Sequence, residues 1–313
     1  MARISVITPC LNAAAFVEEA VGSVFGQRGA DAELIVVDDG STDGSRAILE
    51  TLQARYGERL RLLTTDRAGP YPARNLALRH ATGEFVAFLD ADDYWEPDFL
   101  HCMLAALEAG GTDLAYCGWQ NVGAGAPGTM PYIPPAYEDG DPVEQFLRRC
   151  PWPIHAALTR RSVIDKLGGF SERMFSSMDY DLWIRMLAVT RRMVRVPRVL
   201  AYYRWHGSGQ ISATRWRQVL DAWQVRRDFV AASTKLVAHL DSRRLAQLVD
   251  GVLLDAAYEA FWRRDLESAQ RLFRKALGTG AWQSKDIKYL GASLLPAGAF
   301  RALARAADER RPA

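Results

Sequence analysis

Three stretches of this chain gather carboxylates at an apolar run: Leu34 to Ser45 (LIVVDDGSTDGS), Phe85 to Asp93 (FVAFLDADD) and Ser177 to Trp183 (SMDYDLW). Short apolar runs bounded by turn residues read as strands buried on both faces of a parallel sheet. In open α/β sheets the ligand crevice lies outside the carboxyl ends of the strands. The first two clusters are therefore expected on a crevice rim, where they could hold a nucleotide and a divalent cation.

The rest of the N-terminal pattern agrees. Ile4 to Thr8 reads as a strand ended by Pro9, and Phe16, Ala20, Val21 and Val24 recur at helical spacing. Leu34 to Val37, Leu60 to Thr64, Phe85 to Leu89 and Leu114 to Cys117 read as further strands, separated by helical patterns. This βαβα alternation predicts an α/β fold with a doubly wound, mostly parallel sheet. Between Asn121 and Asp141 the pattern dissolves into Gly, Pro and Tyr, a long loop of the functional kind. Ile154 to Thr159 and Val194 to Tyr203 read as strands, with a helix from Asp179 to Thr190 between them. From Thr214 the pattern is helical, and Ala257 to Leu277 resembles one tetratricopeptide-type hairpin without a second copy. The expected organisation is a domain over 1–213, with halves 1–120 and 121–213, and a helical extension over 214–313.

Composition excludes several classes. A net charge of +2 over 313 residues gives no support to nucleic acid as a partner. Cys10, Cys102, Cys117 and Cys150 are widely spaced and read as reduced core residues rather than a disulfide framework or zinc site. No secretory signal is visible at the N-terminus and no apolar run reaches the about 18–20 residues of a membrane span. The expected location is the cytoplasm.

Each acidic cluster has competing readings. Asp39, Ser41, Asp43, Gly44 and Glu50 approach the spacing of a calcium-binding loop, but a strand precedes them where that loop needs a helix, and Arg46 occupies an interior place. A turn capping the following helix accounts for Asp43 or Ser45 but not for Asp38 and Asp39. No G-x-G-x-x-G follows the first strand and no G-x-x-x-x-G-K-[ST] loop is present, which argues against dinucleotide oxidoreductases and P-loop enzymes. Phosphates would then need a carboxylate-bound cation. Residues i and i+2 of a strand point to the same side, so Asp90 and Asp92 can face one ligand together, and Mg²⁺ or Mn²⁺ takes a carboxylate or two plus substrate phosphates. Asp93 belongs to the same acidic turn. On a helix, Asp179 lines up with Trp183 and Met186 on the inward stripe, whereas Asp181 lines up with Arg185 as an exposed pair. Asp179 could cap the helix or serve as a general base.

The ordered set VITPCLN (Val6 to Asn12), LIVVDDGSTDGS, ARN (Ala73 to Asn75), GEFVAFLDADD (Gly83 to Asp93), GGF (Gly168 to Phe170), MDYDLW and YRWHGSGQIS (Tyr203 to Ser212) resembles the family 2 glycosyltransferases of Rossmann-like GT-A fold. The resemblance covers roughly residues 3–212. It implies an inverting transferase that uses a nucleotide-sugar donor, a UDP-sugar in the first instance. Pro9, Leu11 and Asp39 would hold the base, with Asn12, Asp38 and Arg74 completing the nucleotide set. Asp90 would meet the ribose or the metal, Asp92 would ligate Mg²⁺ or Mn²⁺, His206 lies where some members place another ligand, and Asp179 would be the base. Leu11 stands where relatives often carry a stacking aromatic, and Met178 where many carry Glu.

The acceptor, a carbohydrate or a lipid-linked sugar in polysaccharide, cell-envelope or glycoconjugate synthesis, is expected at the loop from Asn121 to Cys150 and around Trp152 and His155. Two other functions fit part of the pattern. A sugar-nucleotide nucleotidyltransferase would need a Gly-rich basic N-terminal loop, which VITPCLN lacks, and a non-catalytic binding protein would leave Asp92 and Asp179 without a task. In the tail, Tyr289 to Ala304 (YLGASLLPAGAFRALA) has Arg301 inside and Arg305, Arg310 and Arg311 after it. Either Leu290, Leu294, Leu295 and Phe300 pack on the preceding hairpin, or the stretch lies peripherally on the inner face of a membrane.

Overall fold

The computed structural model describes residues 3–126, 128–206 and 215–309. The Gly207–Ser212 part of the last motif, the expected boundary at 213/214, and Arg310 and Arg311 lie outside the described residues, as does the side chain of Arg305.

The chain divides into two compact units. The first comprises Met1–Gln145, Cys150–Arg173 and Met178–Gln210. Its sheet has strands β1 (Arg3–Cys10), β2 (Asp31–Asp38), β3 (Leu60–Thr64), β4 (Phe85–Phe88), β5 (Tyr94–Trp95), β6 (Leu114–Val122), β7 (Ala157–Arg160) and β8 (Met193–Arg204). Helices α1 (Val17–Phe25), α2 (Ser45–Tyr56), α3 (Pro70–His80) and α4 (Phe99–Gly110) connect the early strands, followed by α5 (Pro142–Arg148), α6 (Arg161–Leu167) and α7 (Met178–Met186). Strand order is β3-β2-β1-β4-β7-β6-β8-β5. Strands β1 to β4 are mutually parallel, as is β6 with β8, while β7 runs antiparallel to both β4 and β6, and β5 antiparallel to β8. The sheet is thus the mixed, mostly parallel α/β sheet of GT-A architecture.

Its order places the site. Strand β1 has β2 on one side and β4 on the other, so the direction of winding switches there. The carboxyl ends of these three strands open onto one crevice. Both faces of the sheet are covered, and Leu34, Ile35, Val36 and Val37 are all essentially buried.

Several strand boundaries differ from the sequence reading, and Ile154 to Ala156, read as strand, form a 3-10 turn before β7. Strand β1 continues through Pro9 to Cys10, because its pairing with β4 stops at Ile7 and Phe88. The missing Pro9 amide therefore interrupts no ladder on that side. Strand β4 stops at Phe88, so Asp90 to Asp93 form a turn closed by the Asp93 amide on the Asp90 carbonyl (3.1 Å). Strand alternation consequently does not set the direction of Asp90 and Asp92. Strand β6 also outruns the expected Cys117, reaching Val122 by way of a bulge at Gly118. A Cβ there would stand 2.7 Å from the Tyr132 carbonyl oxygen, so only glycine admits the bridge between Trp119 and Tyr132.

The second unit is helical and comprises Phe146–Arg149, Met174–Ser177 and Ile211–Ala313. It contains α8 (Arg215–Ala232), α9 (Thr234–Val237), α10 (Ser242–Val249), α11 (Gly251–Trp262), α12 (Leu266–Leu277), α13 (Ile287–Ser293) and α14 (Ala297–Glu309). Two four-residue pieces from earlier in the chain join it through hydrogen bonds. Arg226 Nε donates to the Leu147 carbonyl (2.7 Å), and the Ser176 amide and hydroxyl donate to Asp221 Oδ2 (3.0 and 2.6 Å). Helices α11 and α12 form the expected hairpin, turned at Arg264 (φ 64°) and capped where Asp265 accepts from the Ser268 amide. Trp223, Leu253, Phe261, Phe273, Leu290 and Phe300 make its core. Leu294 and Leu295, by contrast, are 62% and 38% exposed, so only two of the four residues expected to pack there do so.

Candidate active site

Three loops meet at the carboxyl edge of β1, β2 and β4. Asn12 adopts a left-handed conformation (φ 51°), which Asn tolerates better than most residues. Its Oδ1 accepts from the Thr42 amide (2.8 Å), and its own amide donates to Ser41 Oγ (3.0 Å). Asn12 therefore staples the β1 loop to the β2 loop, while Leu11 beside it is 43% exposed. Asp39 is nearly buried, and its carboxylate accepts from Thr65 Oγ1 and the amides of Ala68 and Gly69, all at 2.7 Å. It clasps the loop that enters α3, leaving one acceptor site on Oδ2 for a ligand. Asp38 does not fit a nucleotide contact. It is 1% exposed and accepts from the Ser41 amide (3.2 Å), so it closes its own turn.

Arg74 comes from α3 and is buried by aromatic packing. Its guanidinium lies over the rings of Tyr71 and Phe170, 5.5 Å from each centroid, and pairs with Asp90. Phe170 is seated by Asn75, whose Nδ2 donates to the Phe170 carbonyl and whose Oδ1 accepts from its amide, both at 2.9 Å. Gly169 has φ +76°, and a Cβ there would come within 2.6 Å of Asn75 Oδ1, which explains the second glycine of GGF. The ARN and GGF motifs are thus two halves of one support for Arg74. Sequence reasoning missed Tyr71 and Phe170 as parts of the site, although the three-residue spacing of Tyr71 and Arg74 in a helix signals contact.

Asp90 and Asp92 are both 28% exposed at their side chains, and Asp92 Oδ2 lies 2.9 Å from His206 Nε2 at the end of β8. The His206 ring packs against Phe16 with 4.8 Å between centroids. Burial pushes the Asp92 carboxyl above its usual range, and the neighbouring charge of Asp90 adds to this, against the pull of His206. Asp93 points the other way, into the core, where its Oδ2 faces His155 Nδ1 at 3.0 Å with both side chains fully buried.

That pairing removes His155 from the acceptor site. Trp152 leaves it too: the indole is 1% exposed and stacks on Tyr116 at 4.4 Å. The sequence reading places acceptor contacts around both, just beyond the stretch from Asn121 to Cys150. The structure instead uses them as core aromatics beneath the sheet edge.

Asp179 opens α7. It is half-buried, and its Oδ1 accepts from the Tyr180 amide (2.8 Å). Burial pushes its carboxyl above the usual carboxylate range, while the Tyr180 amide and Arg74 pull it back and Asp90 pushes it further up. The Met178 amide beside Asp179 donates to the Tyr71 hydroxyl (3.4 Å), so the start of α7 abuts the ring over which Arg74 lies. Asp181 is not the exposed partner that helical phase suggested. It is 2% exposed, and Arg185 Nε reaches it at 2.6 Å while the same guanidinium donates to the carbonyls of Leu167 and Gly169. Helix α7 is buried on nearly every side, so it has no solvent face on which a two-face argument could operate.

A sheet that switches direction at β1, with carboxylates from three loops around its carboxyl edge, has the ligand crevice of an open α/β fold at that place. The chain belongs to glycosyl transferase family 2, whose model matches residues 5–168. TuaG of Bacillus subtilis, a putative teichuronic acid biosynthesis glycosyltransferase, is 28% identical over 236 residues, spanning 72% of this chain and 87% of its own. WfgD of Escherichia coli, a UDP-Glc:alpha-D-GlcNAc-diphosphoundecaprenol beta-1,3-glucosyltransferase, is 27% identical, spanning 72% and 86%. Among solved structures, residues 1–349 of TarS from S. aureus in complex with UDP-GlcNAc align over 98% of this chain and 92% of that one, with a TM-score of 0.69 at 21% identity. The chain is thus a glycosyltransferase, similar to relatives named for teichuronic acid biosynthesis and for glucosyl transfer to GlcNAc-diphosphoundecaprenol.

Proposed function

We propose that this glycosyltransferase moves a sugar from a nucleoside-diphosphate donor, a UDP-sugar, to a hydroxyl of a carbohydrate or lipid-linked acceptor, with inversion and with Asp179 as base. The observation that carries this reading is the contact of the Met178 amide, next to Asp179, with the hydroxyl of Tyr71 (3.4 Å), the ring under the Arg74–Asp90 pair. It brings a carboxylate of α7 to the acidic turn after β4, so that a base and a phosphate-handling group flank one crevice.

A divalent cation fits the chemistry of the turn. Asp92 and His206 lie within one ligand sphere of each other, and Asp90 is beside them. Among the described residues there is no group of three His, Cys, Asp or Glu side chains placed to hold a metal. A carboxylate or two is nonetheless what Mg²⁺ or Mn²⁺ takes in a nucleotide site, where phosphates and water complete the shell. Asp92 and His206 would hold the ion, which when bound neutralises the departing diphosphate as a Lewis acid.

The chain's own groups do the rest. The free acceptor site on Asp39 Oδ2 takes a base N–H, with Pro9 and Leu11 beside it. Arg74, held over Tyr71 and Phe170, fixes Asp90 against the ribose. Asp179 takes the proton of the acceptor hydroxyl as that oxygen attacks the anomeric carbon from the face opposite the diphosphate. Such assistance contributes about 10²–10⁴-fold in rate. With Trp152 and His155 in the core, acceptor recognition passes to the exposed loop after β6, where Met130 is 82% and Ile133 45% exposed.

Calorimetry of UDP against wild type and Asp92→Ala, each with Mn²⁺ and with EDTA, tests the donor half. Binding should require both the ion and Asp92. Equal affinity in all four mixtures would overturn the metal-assisted reading.

A further inference from the structure

The turn between α13 and α14 is apolar, exposed and rigidly held. Leu294 is 62% exposed and Leu295 38%, and Pro296, Ala297, Gly298 and Ala299 after them are exposed as well. Ile287, on the same side of α13 as Leu294 seven residues later, is 54% exposed, and Leu303 on α14 is 51% exposed. Water disfavours such a turn, and an unsupported one would fold back onto the hairpin as Leu290 and Phe300 do. It is prevented from doing so by two side chains of α12. Gln270 Nε2 donates to the carbonyls of Ser293 (3.0 Å) and Leu295 (2.7 Å), and the Arg274 guanidinium donates to the same two carbonyls. Gln270 is itself nearly buried. The hairpin therefore projects this turn outward.

Charge says what it projects toward. Lys285, Lys288 and Arg301 flank the turn and are exposed. Residues 215–313 carry eighteen Lys and Arg against eleven Asp and Glu, whereas residues 1–214 carry twenty-one against twenty-six. The positive excess is thus confined to the C-terminal part of the chain, which bears the apolar turn. An exposed apolar turn between helices that carry exposed Lys and Arg suits a bilayer interface with anionic headgroups, into which the leucines insert while the cations stay at the phosphates. No helix among the described residues is long and apolar enough to cross a membrane, so the contact is peripheral.

We propose that residues 287–303 form a membrane-docking tip for an anionic lipid surface. The proposal is independent of the donor chemistry, since none of these residues belongs to the active site. Flotation or sedimentation of the full chain at low salt, with phosphatidylcholine vesicles and with mixed phosphatidylcholine–phosphatidylglycerol vesicles, tests it. Wild type should bind the anionic vesicles only. Leu294→Ser with Leu295→Ser should lower the partition about tenfold or more. Lys285→Glu, Lys288→Glu and Arg301→Glu together should lower it about a hundredfold. The same three charge reversals at Arg55, Arg79 and Lys166, exposed in the other unit, should have little effect. Thermal unfolding of every variant checks that the fold is kept, as substitution of exposed side chains should allow.

Wild type that stays in solution with anionic vesicles overturns the proposal, as do folded tip variants that bind like wild type. Concentration-dependent dimerisation lost in the double Leu variant, without vesicle binding, would instead assign the turn to a second copy of this chain.

Discussion

Asp93 and His155 form a fully buried pair, 3.0 Å from Oδ2 to Nδ1, one residue beyond the half-exposed Asp92 that meets His206 at 2.9 Å. Two adjacent carboxylates in one turn thus have opposite tasks. Asp93 also accepts the Arg204 amide at 2.8 Å, so this turn is tied to the end of β8 from the inside, close to His206. The buried pair fixes where the exposed pair, the proposed ligands, stands.

Replacing His155 should therefore damage the fold rather than the acceptor site. His155→Phe leaves a buried carboxylate without its counter-charge, which costs about 3–5 kcal/mol. Denaturant unfolding should show that loss. A variant of wild-type stability with a raised acceptor KM would return His155 to the acceptor surface.

Asp179→Asn should lower transfer by about 10²–10⁴-fold while donor affinity changes little, because the amide still accepts from the Tyr180 N–H but cannot take a proton. In wild type the base works ionised, and burial raises its pKa, so kcat/KM should rise with pH through a value above the ordinary carboxylate range. The same shift has a stability sign. A carboxyl whose folded pKa is raised favours folding at low pH, and that contribution is lost as pH rises through the folded pKa. Asn has no such dependence, so the variant should gain in Tm relative to wild type as pH rises. A pH-independent Tm difference would argue against the raised pKa.

Asp181→Asn should be a stability variant. Its buried carboxylate organises Arg185, which in turn holds the carbonyls of Leu167 and Gly169 next to the Phe170 seat. Weakening this network should cost about 1–3 kcal/mol, read as a lower urea midpoint. Turnover per folded molecule should stay near wild type. A folded, fully stable variant with no turnover would transfer the base assignment from Asp179 to Asp181.

Leu11→Tyr should tighten nucleoside-diphosphate binding. Leu11 is 43% exposed next to the Asn12 staple, where an aromatic ring could stack on a base. Stacking of this kind is worth about 1–3 kcal/mol, or roughly tenfold or more in Kd by calorimetry. Unchanged affinity would show that the base lies elsewhere.

The sequence by itself determined the parts whose physics is local. Buried strands such as Leu34 to Val37 announce themselves by continuous apolar character, and Gly, Asp and Asn mark the turns that follow. The motif order VITPCLN, DDGSTDGS, DADD, MDYDLW was enough to give the family. The hairpin of α11 and α12 was legible for the same reason, from helical spacing around a short turn.

What only the tertiary structure decided is which way each side chain faces when its element is covered on all sides. Asp92 and Asp93 are neighbours in sequence, yet one faces the crevice and the other His155, sixty-two residues away. Asp181 reads as a surface residue until α7 is seen to lack a surface. Leu290 and Leu294 are equally apolar, but Gln270 and Arg274 hold the chain so that one is 1% exposed and the other 62%. Periodicity reports the face of an isolated element. Burial depends on what packs against that face, and those partners come from distant parts of the chain.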